Sequence, residues 1–388
     1  MPNNKLKLLV TIPSGFCFGL QYVSVDLFAA CKKEIEPYFL ISKWSNGDFE
    51  QMVAAKGFRY SSSWLGMFSR KLDWVNAKMS FAALIRLPLL YATFLKLVRR
   101  EKPDLLFFAN HHELILLLPA LWLTKKKVVC HMHDPAPAIT FQQKTFAQYG
   151  KRVDHFICIS NSVKERLMLL GCAAEKITVV HNGIALPNMQ KSRDSRFEKA
   201  ANWGQEAFVV GITGQMTATK GHEDVLAAFQ MAYQHNPNLR LVIGGRQLEP
   251  LFSQLQTAVT AKKLNSVVHF SGWLQHADDF YQGIDVFVMA SRHEEGYGLV
   301  VAEAMANGKP VIITDSGGAT EIVQNGISGF IVAKRDAVAI ANNINHLAQD
   351  RQLYDSMSMA ALQRIKQQFT LQAAAAKFVS ALNTVKGN

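Results

Sequence analysis

Short apolar runs alternate along this chain with longer segments whose apolar residues return every three or four positions. The first pattern predicts buried strands and the second amphipathic helices; their alternation argues for an α/β protein with parallel sheets covered by helices. In the first half, Leu6–Ile12, Pro37–Ile41, Asp104–Ala109, Lys127–His131 and His155–Ile159 read as strands. In the second half, Phe208–Thr213, Arg240–Ile243, Val267–Ser271, Val286–Ala290 and Pro310–Thr314 do. Between Leu186 and Gln205 the chain is polar without a hydrophobic period, which marks a connection between two domains, 1–185 and 186–370. The last segment, 371–388, has a helical pattern with apolar positions at 371, 375, 378, 379 and 382, and is expected to pack back onto the first domain.

The stretch Met79–Arg100, "MSFAALIRLPLLYATFLKLVRR", is apolar with a basic end and is interrupted by Arg86 and Pro88. A kinked core helix has this pattern, and so does a helix lying in a lipid interface. Neither it nor Leu105–Leu123, which is broken at 110–113, reads as a membrane span.

With 388 residues there is room for two cores, and the net charge of +12 is unevenly divided. Residues 1–187 hold 24 Lys and Arg against 13 Asp and Glu, which is +11; residues 188–388 hold 18 against 17, which is +1. A basic first domain suits an acidic partner such as a phosphate-bearing lipid, an anionic membrane face or nucleic acid. No interleaved aromatic-basic RNA motif accompanies the charge, so nucleic acid ranks last. Five scattered cysteines with no CxxC read as reduced thiols. The N-terminus runs straight into a strand without a signal-peptide pattern, and the expected location is cytoplasmic, with peripheral attachment to the inner membrane face as an extension.

No GxGxxG follows the first strand and no GxxxxGK[ST] occurs, which weakens a dinucleotide oxidoreductase and removes the P-loop NTPases. Candidate chemistry gathers instead in "DVFVMASRHEEGYGLVVAEAMANGKPVI", residues 285–312. Here a strand leads through Glu295 and the glycines Gly296 and Gly298 into a helix from Leu299, which stops at Asn307-Gly308. Ligands of α/β proteins bind at this strand edge, and free N–H groups at a helix start favour phosphate. Glu295 and Glu303 can face one crevice, and a carboxylate suits a vicinal diol of a ribose or hexopyranose. A first-turn glutamate favoured by the helix dipole explains Glu303 alone, but not Glu295 and the glycines.

The run "EEGYGLVVAEAMANGKPVIITDSGGATEIV" resembles the donor-site signature of the retaining GT-B glycosyltransferases of glycosyltransferase family 4. That signature has two glutamates with seven residues between them, here Glu295 and Glu303, then a Gly-Gly-x-x-Glu loop, here Gly317 to Glu321. "GITGQMTATKGHEDVLAAF" is similar to the family's Gly-Arg-x-x-x-x-Lys-Gly motif, with Lys220 at the lysine and Gln215 where the family often has arginine. "ITVVHNGI" resembles the Asn-Gly closing the N-terminal domain, and "GLQYVSVDLFAA" the first helix after the N-terminal glycine loop. In that loop Phe18 precedes Gly19 where the family usually has adjacent glycines.

The resemblance implies two Rossmann-like domains facing a cleft, with acceptor on the first and nucleotide-sugar donor on the second. Its catalytic group would be His133, Lys220 and Glu295. Substrate contacts would fall on Gly19, Gln215, Lys220, Glu295, Gly296, Tyr297, Gly298, Leu299 and Glu303. Of these, Glu295 would hold the donor sugar, Glu303 the ribose, Lys220 the leaving diphosphate and the backbone around 296–299 the sugar and diphosphate. The donor would be a UDP- or GDP-sugar, and no cofactor or metal would be needed. The acceptor expected from the basic first domain and the 79–100 segment, rather than from the resemblance, is a glycan, phosphorylated or lipid-linked, of envelope polysaccharide or lipopolysaccharide. "VVCHMHDPAP" puts His133 where the family keeps a histidine near the transferred sugar; a buried structural histidine and an HxH metal pair with His131 are the alternatives. A nucleotide-sugar epimerase of the same architecture and a non-catalytic nucleotide-sugar binder are the competing functions.

Overall fold

The computed structural model describes residues 5–12, 17, 19–65, 81–133, 146–187, 196–197, 201–204, 206–274 and 276–387. The chain forms two compact units, Met1–Gly183 with Leu371–Asn388, and Ile184–Thr370.

The first unit is built on a parallel sheet of seven strands. They are β1 (Leu6–Ile12), β2 (Ile35–Ser42), β3 (Arg59–Ser63), β4 (Leu105–Phe108), β5 (Lys127–Met132), β6 (His155–Cys158) and β7 (Ile177–Val179). Their order is β3-β2-β1-β4-β5-β6-β7, so the winding reverses between β1 and β4. Central strands are apolar on both faces because helices cover both; β1 reads LKLLVTI with six of its seven residues buried. One face is closed by the helices Gly19–Ala30 and Leu371–Gly387. Phe28 meets Phe39, Phe107 and Phe378 edge-on at centroid distances of 5.5, 5.4 and 5.6 Å. Each such ring removed from water contributes about 2–3 kcal/mol. The C-terminal helix buries Ala374, Ala375, Phe378, Ala381, Leu382 and Val385 in this core. Lys127 donates to its Val385 carbonyl at 2.9 Å, and Lys386 pairs with Asp104 at 3.1 Å.

The segment 79–100 is described from residue 81. Helical turns over 81–85 break at Arg86, and a second helix runs Leu87–Glu101 with Pro88 in its first turn, where a missing N–H costs nothing. Leu90, Phe94, Leu97 and Val98 are buried, whereas Phe81, Leu84, Ile85 and Leu89 stand 55–64% exposed. The core reading thus accounts for one face and leaves the other open.

The second unit holds a parallel sheet of β8 (Phe208–Thr213), β9 (Leu239–Gly244), β10 (Val268–Gly272), β11 (Val286–Met289), β12 (Val311–Thr314) and β13 (Gly329–Val332). The order is β10-β9-β8-β11-β12-β13, with its reversal between β8 and β11. Its core joins these strands to the helices His222–His235, Leu251–Ala261 and Ala337–Gln349 through Val225, Phe229, Leu255, Val286, Ile312 and Ile344. The polar connection read at 186–205 lies mostly outside the described residues; Phe197 packs on Phe280, and Trp203 donates to the Ser266 carbonyl at 2.8 Å.

Assigning Leu371–Asn388 to the first unit sharpens the charge division. The segment brings Lys377 and Lys386 and no acid, so the first unit's excess becomes +13 and the second unit's −1, within the total of +12.

Candidate functional site

In an open parallel sheet the loops at the winding reversal diverge and leave a crevice at the strands' carboxyl ends. In the second unit those loops follow β8 and β11, and they carry Gln215 to Lys220 and Ala290 to Gly298. Topology alone therefore brings Lys220 and Glu295 together. The Lys220 Nζ lies 2.7 Å from Glu295 Oε1.

Close approach of the two loops depends on Gly221. It holds φ +70°, and a Cβ there would sit 1.9 Å from the Ala290 carbonyl oxygen. Arg292 N donates to the Thr219 carbonyl at 2.8 Å, so the loops are also joined backbone to backbone. Glu295 is anchored on its other side by the Gly-Gly loop: its N–H donates to Ser316 at 3.3 Å, and Gly318 N–H donates to its carbonyl at 2.9 Å.

The side chain of Glu295 is 13% exposed and accepts a hydrogen bond from Ser291 Oγ as well as from Lys220. Burial pushes its carboxyl up. The Lys220 charge, the two hydrogen bonds and the nearby His293 outweigh burial and hold it below the usual carboxylate range. Glu294, its neighbour, is exposed and pairs with Lys334. The two adjacent glutamates thus have unrelated surroundings.

Glu303 lies one turn into the helix Leu299–Ala306, whose N-cap is Gly298 and whose C-cap is Asn307. Its carboxylate accepts from the Tyr281 hydroxyl at 2.8 Å. Burial raises its pKa to about 7, only partly countered by that hydrogen bond. Tyr297 is buried with its ring against Phe369, so a ligand contact at this residue would come from its backbone. Gln215 is exposed at the end of β8. The acids Asp278 and Asp279 sit in the first turn of the helix Ala277–Gln282, as helix-start residues.

In the first unit, His133 follows β5 and is buried, with its Nε2 3.0 Å from His131 Nδ1. Burial lowers its pKa to about 4, so the imidazole is neutral at pH 7. His131 packs between Phe107 and Phe378. Gly19 opens the first helix. Phe18, which precedes Gly19 in the N-terminal loop, and Asp134-Pro135 after His133 lie outside the described residues. Among the described residues no group of three or more His, Cys, Asp or Glu converges as a metal site, and no helix is long and apolar enough to cross a membrane.

Two residues that the sequence reading did not single out belong to this site. Ser291 is fully buried, with its carbonyl bound by Thr314 at 2.8 Å, and it positions Glu295. Tyr281 orients Glu303 from a neighbouring helix. The first had a signal in its place, four residues before Glu295 at a strand end; the second had none, because a buried tyrosine on a short helix reads as core.

Comparison with known proteins bears on this arrangement. The family model "Glycosyl transferases group 1" matches residues 194–364, and "Glycosyltransferase Family 4" matches residues 74–186. The capsular polysaccharide biosynthesis glycosyltransferase CapM of Staphylococcus aureus is 32% identical over 237 residues, which are 59% of this chain and 61% of that protein. The lipopolysaccharide 1,2-N-acetylglucosaminetransferase of Salmonella typhimurium is 26% identical over 235 residues, 58% of this chain and 59% of that protein. The matches thus span about three-fifths of the length of these relatives. Among solved structures, HepE of Anabaena, in complex with UDP and glucose, superposes with a TM-score of 0.81 at 20% identity, over 98% of this chain and 100% of that one. A glycosyltransferase from Rickettsia africae gives 0.80 at 18% identity, over 99% and 100%. At these identities the likeness speaks for the fold. With two Rossmann-like parallel-sheet units and both family models matched along its length, the chain belongs to the GT-B glycosyltransferases of the family 4 type.

Proposed function

We propose that the chain is a retaining, metal-independent glycosyltransferase that moves a sugar from a UDP- or GDP-type nucleotide sugar to a glycan or lipid-linked acceptor. The observation that carries this reading is the Lys220–Glu295 pair across the winding reversal. In the free protein the ammonium and the carboxylate satisfy each other. A bound donor would separate them, its sugar hydroxyls replacing the ammonium on Glu295 and its diphosphate receiving Lys220. When the anomeric C–O bond breaks, its electron pair stays on the diphosphate, where Lys220 stabilises the charge that develops. The acceptor hydroxyl attacks from the face the diphosphate leaves, and its proton passes to a phosphate oxygen. Glu303 accepts from the ribose hydroxyls, and the neutral His133 serves as a hydrogen-bonding partner of the transferred sugar. On this reading Ile184–Thr370 holds the donor, and the basic unit the acceptor.

The names of CapM and of the Salmonella transferase support an envelope glycan as acceptor. A cytoplasmic protein resting on an anionic membrane face would meet such an acceptor. Support for that contact comes from the exposed Phe81, Leu84, Ile85 and Leu89 towards one end of the 81–101 segment and the exposed Lys96, Arg99 and Arg100 towards its other end. Flotation with vesicles rich in anionic lipid is expected, and equal flotation with neutral vesicles would remove the charge argument.

The donor reading is tested by a thermal-shift panel of UDP-, GDP- and ADP-sugars, with one expected to raise the melting temperature by several degrees. Stabilisation by none of them would sink it. The epimerase alternative predicts an epimer from donor alone. The non-catalytic alternative predicts binding without turnover across an acceptor screen. Retention is read from the anomeric configuration of the product.

A further inference from the structure

The donor site just proposed is one cation short. Two negative phosphates would meet Lys220, but position 215, where an arginine is expected, holds an uncharged glutamine. Arg292, in the β11 loop, is already committed. Its Nε and Nη2 each lie 2.7 Å from an oxygen of Asp224, and its Nη1 lies 2.7 Å from Glu223. A bidentate guanidinium–carboxylate pair of that geometry does not release its charge to a ligand without leaving two carboxylates uncompensated. Lys334 is paired with Glu294.

Arg246 is placed differently. It follows Gly244-Gly245 at the carboxyl end of β9, the strand next to β8. The β8 and β9 loops run in backbone contact here. Gly214 N donates to the Gly244 carbonyl at 3.4 Å, and Met216 N donates to the Arg246 carbonyl at 3.0 Å. Gly245 holds φ +102°, and a Cβ on it would lie 2.0 Å from the Gly214 oxygen. Arg246 is therefore bonded to the residue next to Gln215. Its side chain is exposed, and it makes no ion pair among the described residues.

We infer that Arg246 supplies the second cation for the donor's diphosphate, in place of an arginine at position 215. The charge has moved from one loop of the crevice to the next, across a contact that leaves no room for a side chain at Gly245. This rests on the donor reading above. It assigns Arg246 as a substrate-binding residue whose partners are phosphate oxygens and not the base or the sugar.

The test is isothermal calorimetry with UDP, GDP and ADP, and with uridine, guanosine and adenosine, on the full chain. For the diphosphate that binds the parent, Arg246→Gln is expected to weaken affinity by about 10- to 100-fold, as the loss of a charge-assisted contact does. Its nucleoside should change less than about twofold. Arg246→Lys should keep most of the affinity, and adding Gln215→Arg to Arg246→Gln should restore it. Unchanged diphosphate affinity in Arg246→Gln overturns the proposal. So does an equal loss for diphosphate and nucleoside, which would mark a disturbed loop. A parent that binds none of the three diphosphates fails earlier, overturning the donor reading and this assignment with it.

Discussion

Glu295 and Glu303 are eight residues apart and titrate in opposite directions, and the difference makes a prediction. Glu295 is held ionised by Lys220, whereas burial brings Glu303 to about 7. On the proposed reading Glu303 must be ionised to accept from two ribose hydroxyls. Nucleotide binding would then draw a proton off it, and affinity should fall as pH drops through about 7, by at most tenfold per pH unit for one proton. Above the pKa the contribution levels off. Calorimetry with the preferred nucleoside diphosphate from pH 5.5 to 8.5 checks this. Glu303→Gln serves as reference, because the nucleotide's own terminal phosphate titrates near 6 in both proteins. Tyr281→Phe removes a hydrogen bond that favours the ionised form, so its midpoint should move to higher pH. Identical pH profiles for the parent and Glu303→Gln would rule out the ribose role. The glutamates themselves were legible in the sequence through their spacing and glycines. Tyr281 and Ser291 were not, since a residue's partner across a fold leaves no local pattern.

At the scale of elements, the ten strands read from apolar runs are all strands, with ends differing by at most two residues. The three that were not read are β3, β7 and β13, and each is the edge of its sheet. The reason is physical. A central parallel strand is buried on both faces and reads as a continuous apolar run, whereas an edge strand is short or polar, as in the RYSSS of β3 and the ITV of β7. The loops were legible in type but not in tolerance. Gly171 and Gly221 both adopt positive φ, of +96° and +70°, yet a Cβ at Gly171 meets nothing within 4 Å. Gly171→Ala should therefore cost only the backbone penalty, about 1 kcal/mol. Gly221→Ala must also displace the Ala290 carbonyl, and should cost at least about 3 kcal/mol. Urea denaturation of the two variants gives the comparison, and similar midpoints would mean that the β8 and β11 loops separate easily.

For the whole molecule, buried ionisable groups in each unit set opposing demands on pH. His133 and His222 are both held near 4 by burial. Between about 6.5 and 4 the unfolded chain binds protons that the folded one refuses, so each histidine takes stability away as pH falls through that window. Glu113 acts in the other direction. It is buried in the first turn of the helix His111–Leu121, its Oε2 has no hydrogen-bond partner among the described residues, and burial raises its pKa from 4.5 to about 8. Between those two values the folded state keeps a proton that the unfolded chain has lost, so stability falls as pH rises, by at most about 1.4 kcal/mol per pH unit. Glu303 adds a fall of the same sign between 4.5 and about 7. Stability should therefore peak in the mildly acidic range. Glu113→Gln keeps the shape of the side chain and removes its titration, so relative to the parent it should gain steadily from pH 5 to pH 8. That interval lies below the range in which the buried thiols of Cys31, Cys130, Cys158 and Cys172 ionise. The quantity to read is this slope and not the absolute stability, since an amide at this depth leaves polar atoms unpaired as well. Urea midpoints at half-unit steps, followed by a probe of the first unit such as Trp44 or Trp122, give it directly. A difference between parent and variant that stays constant across the interval would mean that Glu113 is ionised in the folded protein, with a cation in reach.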